Sequence, residues 1–442
     1  MKTLAPLSLL LAVPLSLCAA PAALQEAVVA KVAAEYPSLE AIYHDLHAHP
    51  ELSFMEVRTA GIVAAELRAL GYDVTEKVGN TGVVGVLRNG PGPTVMIRAD
   101  MDALPIKEDT GLAYASTAIV KDLTGKDQPA MHACAHDSHV TGLIGTARTL
   151  AALRAHWSGT VMLVAQPAEE IGAGARAMLT DGLFTHFPTP DYVLGLHVGG
   201  DMAAGQLATL EGPSYANVDS IDILVRGVGG HGARPHSTRD PIVLAAEIIT
   251  GLQTIVSREL KPGTPAVVTI GAIHGGTKRN IIPAEVRLEL TLRSYSEEVA
   301  NHLMASIRRI AENTARAAGI PENLLPVVTV MEERTPLTYN DPALTRRVGA
   351  ALRAWFPPER FDTVEAATYG EDFSQYGRTT HRVPITIFWV GGSDPTKVAE
   401  SRRSGQLLPS NHSAFWAPVP ESTLKTSVVA MSAAALDLLA KK

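Results

Sequence analysis

Residues 94–102 read Thr-Val-Met-Ile-Arg-Ala-Asp-Met-Asp, an apolar run that ends directly in two carboxylates. The same arrangement returns twice further along the chain. The apolar run 161–165 leads through a short turn to a Glu-Glu pair, and the run 192–196 ends in His197. The ligands of open α/β sheets collect at the carboxyl ends of the strands. The three runs therefore predict an α/β fold whose polar side chains gather along one sheet edge.

Helical and strand patterns alternate around these runs, from about residue 26 to residue 200. Short strands that alternate with helices favour a mixed, mostly parallel sheet flanked by helices. The alternation returns after Pro336, with a helix at 341–355 and a strand at 385–390. In the first part of the chain we predict helices at 26–48, 56–70, 138–154 and 173–181, and strands at 82–87, 94–99, 160–165 and 192–196.

The pattern changes between residues 213 and 330. There the predicted elements are a strand at 217–227, a helix at 240–258, strands at 266–274 and 284–293, a helix at 296–318 and a strand at 326–332. This β-α-β-β-α-β order is the plan of a ferredoxin-like domain. We therefore predict one α/β domain, residues 24–212 and 331–442, interrupted by a smaller inserted domain, residues 213–330.

The first 22 residues have the three-part pattern of a secretory signal. Lys2 precedes an apolar run from Leu4 to Leu17, and small residues follow up to a cleavage site near Ala22-Ala23. The run is too short and too broken by proline to span a bilayer comfortably. The alternative to a secretory signal is an apolar helix packed in the fold. We expect an exported protein, either periplasmic or secreted.

Composition narrows the kind of protein. The chain has 442 residues, 46% of them hydrophobic and 19% charged, which is enough for a large core and two or more domains. Its formal net charge of −7 and its lack of a basic run argue against nucleic acid as a partner. After residue 22 we expect no segment long and apolar enough to span a membrane. A soluble protein with a small-molecule substrate is the simplest expectation.

Cys134 lies in the stretch Met-His-Ala-Cys-Ala-His-Asp, residues 131–137. The only other cysteine, Cys18, would leave with the signal, so the mature chain would hold one thiol and no internal disulfide. A lone cysteine two residues from His136 can be a small buried hydrophobe, a reactive thiol or a metal ligand. Both side chains precede a predicted helix, from which they can reach the polar sheet edge.

The joint pattern at this edge favours a divalent metal centre. Cysteine, histidine and one of the paired glutamates would be ligands, while the other glutamate would stay free as a base. Hydrolysis of an amide needs a polarised carbonyl, an acidified water and a group that carries its proton. Taken singly, each feature also has a structural explanation: the Glu-Glu pair as a solvated helix start, His197 as a core histidine, and Asp100 and Asp102 as turn caps.

Several motifs between about residues 38 and 420 resemble those of the metal-dependent aminoacylases and exopeptidases of the M20 metallopeptidase family. The resemblance is strongest to the subgroup of hippurate hydrolase and the indole-acetyl-amino-acid amidohydrolases. The motifs are Arg98-Ala-Asp-Met-Asp-Ala-Leu-Pro105, Met131-His-Ala-Cys-Ala-His-Asp137, Gln166-Pro-Ala-Glu-Glu170, Gly195-Leu-His197, Gly229-Gly-His-Gly-Ala233 with Pro235-His236, Asn280-Ile-Ile-Pro283, Gly370-Glu-Asp-Phe373 and Asn411-His-Ser413.

The resemblance implies a zinc-exopeptidase-like catalytic domain that binds two divalent ions, with zinc, manganese, cobalt and nickel all compatible with such ligands. Glu169 would be the general base. The wider family has histidine where Asp100 stands, so this position departs from the family pattern. We therefore expect Asp100 and Asp102 to support the ligands by contacting them from outside the metal site and not to be ligands themselves. The implied metal ligands are Cys134, His136, Glu170, His197 and His412.

The resemblance also implies a role for the inserted domain, which would be a lid and dimerisation domain. His231 would reach the active site of the partner subunit and steady the oxyanion there. Asn280 would bind substrate, again across the interface of a homodimer. Both residues lie in the inserted range 213–330 that the order of elements predicts independently.

We therefore expect an exported metal-dependent amidohydrolase that cleaves N-acyl-amino acids or short peptides, with Glu169 as general base. One alternative is a metallo-carboxypeptidase or dipeptidase. A second is a non-catalytic binding protein on the same scaffold, which would require a broken ligand or base, and the sequence has none. A third is a hydrolase with Cys134 as nucleophile, which should survive strong chelators.

Overall fold

The computed structural model describes residues 22–441 of the chain. The predicted signal segment, residues 1–22, lies outside the described residues apart from Ala22. The helices, in chain order, are α1 (Ala22–Ala48), α2 (Val57–Ala69), α3 (His136–Ala152), α4 (Gly174–Thr180), α5 (Pro241–Thr254), α6 (Glu297–Ala317), α7 (Pro342–Trp355), α8 (Ser374–Gly377), α9 (Pro395–Ser404) and α10 (Pro420–Leu438).

Each predicted strand is present close to its predicted range, except that β7 continues to Ala203 where the predicted strand ended at residue 196. The remaining strands, most of them short, were not predicted. The strands, in chain order, are β1 (Asp73–Val78), β2 (Gly82–Asn89), β3 (Thr94–Asp100), β4 (Ile119–Lys121), β5 (Asp127–Pro129), β6 (Gly159–Gln166), β7 (Tyr192–Ala203), β8 (Leu207–Ala208), β9 (Gly212–Tyr215), β10 (Asn217–Arg226), β11 (Gly230–His231), β12 (Ala266–Gly275), β13 (Ile281–Ile282), β14 (Glu285–Ser294), β15 (Val327–Thr335), β16 (Thr338–Asn340) and β17 (Ile385–Ser393).

The main sheet runs in the order β1-β2-β6-β3-β7-β17-β8. Its four central strands, β6, β3, β7 and β17, pair in parallel, and the strands on either side of them pair antiparallel. The predicted mixed α/β architecture with a mostly parallel central sheet is confirmed. Because β3, β6 and β7 are neighbours and point the same way, their carboxyl ends meet at one edge.

Both faces of the main sheet are covered, which explains the continuous apolar runs of its central strands. In β3, Val95 and Ile97 pack against the layer formed by α1, α2, α3 and α10. Met96, between them in sequence, packs on the opposite face with Met162 and Met178. Alternate residues of each strand thus enter two different cores, and polar residues are left to the strand ends.

A second sheet has the order β12-β14-β10-β15, with all its pairs antiparallel. Helices α5 and α6 cover one face of it and form a separate core. This arrangement has the predicted β-α-β-β-α-β order. The strands of the sheet begin at Asn217 and end at Thr335, whereas the predicted domain range is 213–330. The other face of the sheet, which carries Val218, Ser220 and Arg293, is turned toward the main sheet.

The chain passes between the two sheets through two neighbouring segments. It leaves the main domain after β9 and returns through β16, and these two short strands pair with each other in antiparallel fashion. Pro213 lies opposite Tyr339, and the hydroxyl of Ser214 donates to the carbonyl of Thr338 at 3.1 Å. The two connections therefore form one hydrogen-bonded ribbon.

The expectation about membrane-spanning segments needs a correction. The helical segment Pro241–Glu259, which comprises α5 and a π-helical turn, has a mean hydropathy of 1.2 and is long enough to span a bilayer. Much of this hydropathy belongs to one face of α5, where Leu244 and Ile248 pack into the second core. The other face leaves Ile242 and Val243 exposed.

Candidate metal centre

The structure brings the five predicted ligands together at the carboxyl edge of the main sheet. The Sγ atom of Cys134 lies 3.6 Å from Nε2 of His197 and 3.3 Å from Nε2 of His412. Oε2 of Glu170 lies 3.5 Å from Nε2 of His412, and its Oε1 lies 3.8 Å from Nε2 of His136. Cys134, His136 and His197 are buried, while His412 is exposed at the rim.

Cys134 belongs to two groups of possible ligand atoms. The ligand atoms of Cys134, His136 and His197 all lie within 4.8 Å of one another. The same holds for those of Cys134, Glu170 and His412. Two overlapping groups that share one thiol are an arrangement that can hold two neighbouring cations.

The hydrogen bonds around the cluster suit bound cations. Nδ1 of His136 donates to the carbonyl of Asp102 at 2.7 Å, and Nδ1 of His197 donates to the carbonyl of Val198 at 3.0 Å. Each ring therefore turns the lone pair of Nε2 toward the cluster, as metal-ligating histidines do. Nε2 of His136 and Oε1 of Glu170 are buried and have no hydrogen-bond partner among the described residues. These residues fit divalent ions.

Unusual backbone conformations aim several of these side chains. Ala135, between two of the ligands, has φ +68° and is the N-cap residue of helix α3. His412 has φ +66°, and its backbone N–H donates to the carbonyl of Ala133 at 2.8 Å. Ala168, just before the Glu-Glu pair, has φ +50°. Left-handed backbone is costly for residues other than glycine, so surrounding contacts must hold it in place.

Asp102 lies beneath the Glu-Glu turn. Its carboxylate accepts the backbone N–H groups of Glu169 and Glu170, both at 3.0 Å, and the hydroxyl of Ser53 at 2.6 Å. Asp100 lies on the other side of His136, where it accepts Nδ1–H of His139 at 2.5 Å. Both carboxylates are completely buried.

Arg98 forms a buried ionic group under the cluster that sequence reasoning missed. Its guanidinium contacts Asp100 at 2.5 Å, Glu371 at 2.9 Å and Asp372 at 3.0 Å. The motif Gly370-Glu-Asp-Phe373 was a signal that could have pointed to it, because two adjacent acids in a buried stretch need a cationic partner. The carboxylates of Glu371 and Asp372 also lie next to that of Glu169.

The cluster carries more carboxylate than its surroundings neutralise. Burial, with the nearby charge of Glu371, raises the pKa of Glu169 well above its ordinary value. Burial raises the pKa of Glu170 to about 8 and also raises that of the Cys134 thiol. These directions mean that ionised ligands are costly here unless positive charge joins them. Divalent cations supply such charge.

A cleft of about 650 Å³ opens over the cluster. Its walls include Glu169 and Glu170 on one side and Arg293 of the second sheet on the other. Arg176, from α4, also lines it. Neither arginine forms an ion pair among the residues whose side chains the structure describes. Sequence reasoning missed both, because only the fold brings the strand of Arg293 to the metal-binding edge.

His231 and Asn280 lie away from the cleft. His231 is in β11, which pairs with β13 in a short exposed ribbon of the second sheet's domain. The carbonyl of Asn280 accepts the N–H of Gly232 at 2.9 Å, so the two predicted residues are neighbours there. Within one chain the structure does not bring them to the metal cluster. Their roles across a subunit interface stay a prediction.

The fold and the cluster together are those expected of a metal-dependent hydrolase. Comparison with known families specifies the class further: residues 96–404 match the model of peptidase family M20/M25/M40. The chain belongs to this family, as its motifs predict.

Relatives and solved structures agree with this assignment. Thermostable carboxypeptidase 1 of Saccharolobus solfataricus is 36% identical, over 88% of this chain and 92% of that protein. Hippurate hydrolase of Campylobacter jejuni is 41% identical, over 64% of this chain and 70% of that protein. N-acetylcysteine deacetylase of Bacillus subtilis is 36% identical, over 78% of this chain and 86% of that protein. The crystal structure of the Bacillus subtilis YXEP protein, a dinuclear metal-binding peptidase of the M20 family, superposes with a TM-score of 0.74 at 30% identity, over 92% of this chain and 99% of that one.

Proposed function

We propose that this protein is an exported amidohydrolase that releases amino acids from N-acyl-amino acids. One observation carries the proposal: Arg176 and Arg293, which have no ion-pair partner among the side chains that the structure describes, line the same cleft as the paired glutamates. An arginine facing a metal centre suits a substrate with a free carboxylate beside the scissile amide. The two relatives named for hippurate and N-acetylcysteine act on compounds of this type.

Five residues would hold the two cations: Cys134, His136, Glu170, His197 and His412. When bound, such cations polarise the amide carbonyl and acidify the attacking water. Thiolate and imidazole suit zinc, and the carboxylate also admits manganese, cobalt or nickel. Asp102 supports this group from beneath through the backbone of the Glu-Glu turn.

Glu169 is the proposed general base. Its Oε2 lies 4.0 Å from Nε2 of His136, close to the ligands but outside the two groups that share Cys134. Glu169 takes a proton from the water as the oxygen attacks the carbonyl carbon. It returns the proton to the nitrogen as the C–N bond breaks, so that the products are a carboxylic acid and the amino group of a free amino acid.

A homodimer would complete the site. The outer face of α5 leaves Ile242 and Val243 exposed by 43% and 55%, and β12, which pairs only with β14, is an edge strand of the second sheet. An exposed apolar helix beside a free strand edge suits a second copy of the chain. The ribbon with His231 and Asn280 would then enter the cleft of the partner, where the partner's His231 would face the developing oxyanion.

A carboxypeptidase reaction is the second candidate, favoured by the 36% identity to thermostable carboxypeptidase 1. Both reactions cleave an amide whose nitrogen belongs to an amino acid with a free carboxylate. They differ in the acyl side, which is a simple acid in one case and a peptide in the other.

The activity is tested by amine release from a panel of N-acyl-amino acids, dipeptides and longer peptides. The chelated protein is assayed before and after zinc, manganese, cobalt or nickel is added. Metal-restored cleavage of N-acyl-amino acids supports the proposal, and preference for peptides supports the carboxypeptidase. Failure of the fully metallated, folded protein to cleave any member contradicts both.

Export rests on the signal pattern of residues 1–22. We expect the mature protein to begin near Ala23 and to appear in the periplasm or the medium when the full chain is expressed in a bacterium. Intact-mass measurement of each cell fraction checks this. A full-length chain that stays in the cytoplasm contradicts export without touching the proposed chemistry.

A further inference from the structure

Glu56 is a completely buried carboxylate behind the Glu-Glu turn. Its Oε1 accepts the backbone N–H of Ala168 at 2.8 Å, across 112 residues of sequence, and that of Phe54 at 2.8 Å. Its Oε2 accepts the hydroxyl of Thr81. Glu56 therefore ties the segment before α2 to the residue that precedes the proposed base.

Helix capping does not account for this burial. Glu56 stands at the N-cap of α2, yet its side chain makes no capping hydrogen bond. Glu51 caps the helix instead, because its carboxylate accepts the backbone N–H groups of Arg58 at 2.9 Å and Thr59 at 2.8 Å in the first turn. The carboxylate of Glu56 is thus free to serve the turn at Ala168.

The turn itself needs support from several sides. Ala168 has a left-handed backbone, with φ +50°, which a residue with a Cβ adopts only when its surroundings impose it. Glu56 accepts the N–H of Ala168, and Asp102 accepts those of Glu169 and Glu170. The N–H groups of three successive residues, 168–170, therefore donate to two buried carboxylates from different parts of the chain.

We propose that Glu56 is a positioning residue that holds the 168–170 turn so that Glu169 and Glu170 face the metal cluster. This inference rests on the proposed function for the role of Glu169. Because Glu56 is directed at the backbone of Ala168, it acts on the orientation of both glutamates without touching the substrate. Loss of the contact would let the turn relax from its left-handed conformation and move both side chains.

The test compares four variants: Glu56→Ala, Glu56→Asp, Glu56→Gln and, as a matched control, Glu51→Ala. Glu56→Ala and Glu56→Asp should lower kcat about 10- to 100-fold with little change in KM, as loss of an outer support does. Glu56→Gln keeps an oxygen that can accept from Ala168 and should stay within about threefold of the original kcat. Glu51→Ala likewise leaves two backbone N–H groups without their carboxylate acceptor, but these belong to α2 and not to the 168–170 turn. It should therefore lower Tm but not kcat.

A second readout is independent of turnover. We expect the visible absorption bands of the cobalt-loaded protein to change in Glu56→Ala and Glu56→Asp, and to be kept in Glu56→Gln and Glu51→Ala. Original kcat and spectrum in Glu56→Ala would overturn the proposal, as would equal loss of kcat in Glu51→Ala. If Glu56→Ala does not fold, the contrast between the aspartate and glutamine variants decides. Should the unaltered protein cleave no substrate, the proposed function fails while the cobalt spectra still test the turn.

Discussion

Cys134 is the residue that joins the two groups of possible ligands, since its sulfur belongs to both. Its surroundings argue against the nucleophile that the sequence left open. Burial raises the pKa of its thiol, whereas cysteine nucleophiles depend on a lowered pKa. The binding-protein alternative is also weakened, because all five predicted ligands and the predicted base lie together at one sheet edge.

Glu169 allows a direct test of the chemistry. Glu169→Gln keeps the size of the side chain and removes its basicity, so we expect kcat to fall about 10²- to 10⁴-fold. Metal content should stay the same, because the five proposed ligands are unchanged, although Glu169 also lies within reach of the ligand atoms of His136 and Glu170. Turnover and metal analysis on the same sample check this. Retained turnover would refute the base assignment, and lost metal would make Glu169 a ligand.

At the same scale, the sequence could predict some site residues but not others. The Glu-Glu pair was predictable because it follows the buried strand β6. His197 was predicted to end a strand but lies within β7, which continues to Ala203, and its place on the neighbouring strand is what brings it to the cluster. The roles of Arg98 and Glu56 were not predictable, because each also contacts partners far away in sequence. Arg98 and Glu371, for example, are 273 residues apart. Such pairs are defined only by the folded backbone.

Among the elements, the packing of α3 on α10 depends on glycine. A Cβ at Gly145 would lie 2.5 Å from Cγ2 of Val428, while a Cβ at Gly142 would meet Cβ of Ser427 at an ordinary 3.5 Å. Val428 is buried and β-branched, so it cannot easily turn aside. The two glycines of one helix thus face different constraints.

This difference predicts opposite effects on stability. Gly145→Ala overpacks the contact at a cost of about 1–3 kcal/mol, which exceeds the gain in helix propensity of about 1 kcal/mol. Gly142→Ala keeps that gain and should stabilise the protein by up to about 1 kcal/mol. Urea denaturation of both variants without metal measures the free energy of unfolding. Equal effects of the two substitutions would contradict the packing argument.

The elements that sequence reasoning missed share a physical reason. Helix α10 is buried along most of its length, so it lacks the polar stripe that identifies an amphipathic helix. Strand β1 is mostly exposed and polar, so its composition does not indicate a strand. By contrast, α6 alternates buried and exposed residues with a helical period and was predicted nearly to its ends.

For the whole molecule, the proposed dimer predicts rescue between two inactive chains. Glu169→Gln lacks the base, and His231→Ala lacks the group that would reach the partner, with an expected loss on the order of 10²-fold. Co-expressed in equal amounts, half of the randomly paired molecules are mixed, and each has one intact site. We therefore expect about a quarter of the original activity in the mixture.

Tandem purification on two different tags isolates the mixed species for assay, and light scattering gives its mass. The parent variants, purified in the same way, are the controls. An inactive mixed dimer would exclude a shared site. A monomeric protein with full activity would exclude the dimer as well as the proposed role of the partner's His231.

The ribbon of β9 and β16 has a mechanical consequence. Both chain crossings between the two sheets run side by side and are hydrogen-bonded to each other, while each sheet has a core of its own. We expect a rotation about this ribbon to change the gap between Arg293 and the Glu-Glu turn while each interior stays packed, provided that outer contacts such as the Arg378–Glu297 ion pair give way. The width of the cleft would then follow one angle, and the acyl groups of the proposed substrates would be accommodated by a change in that angle.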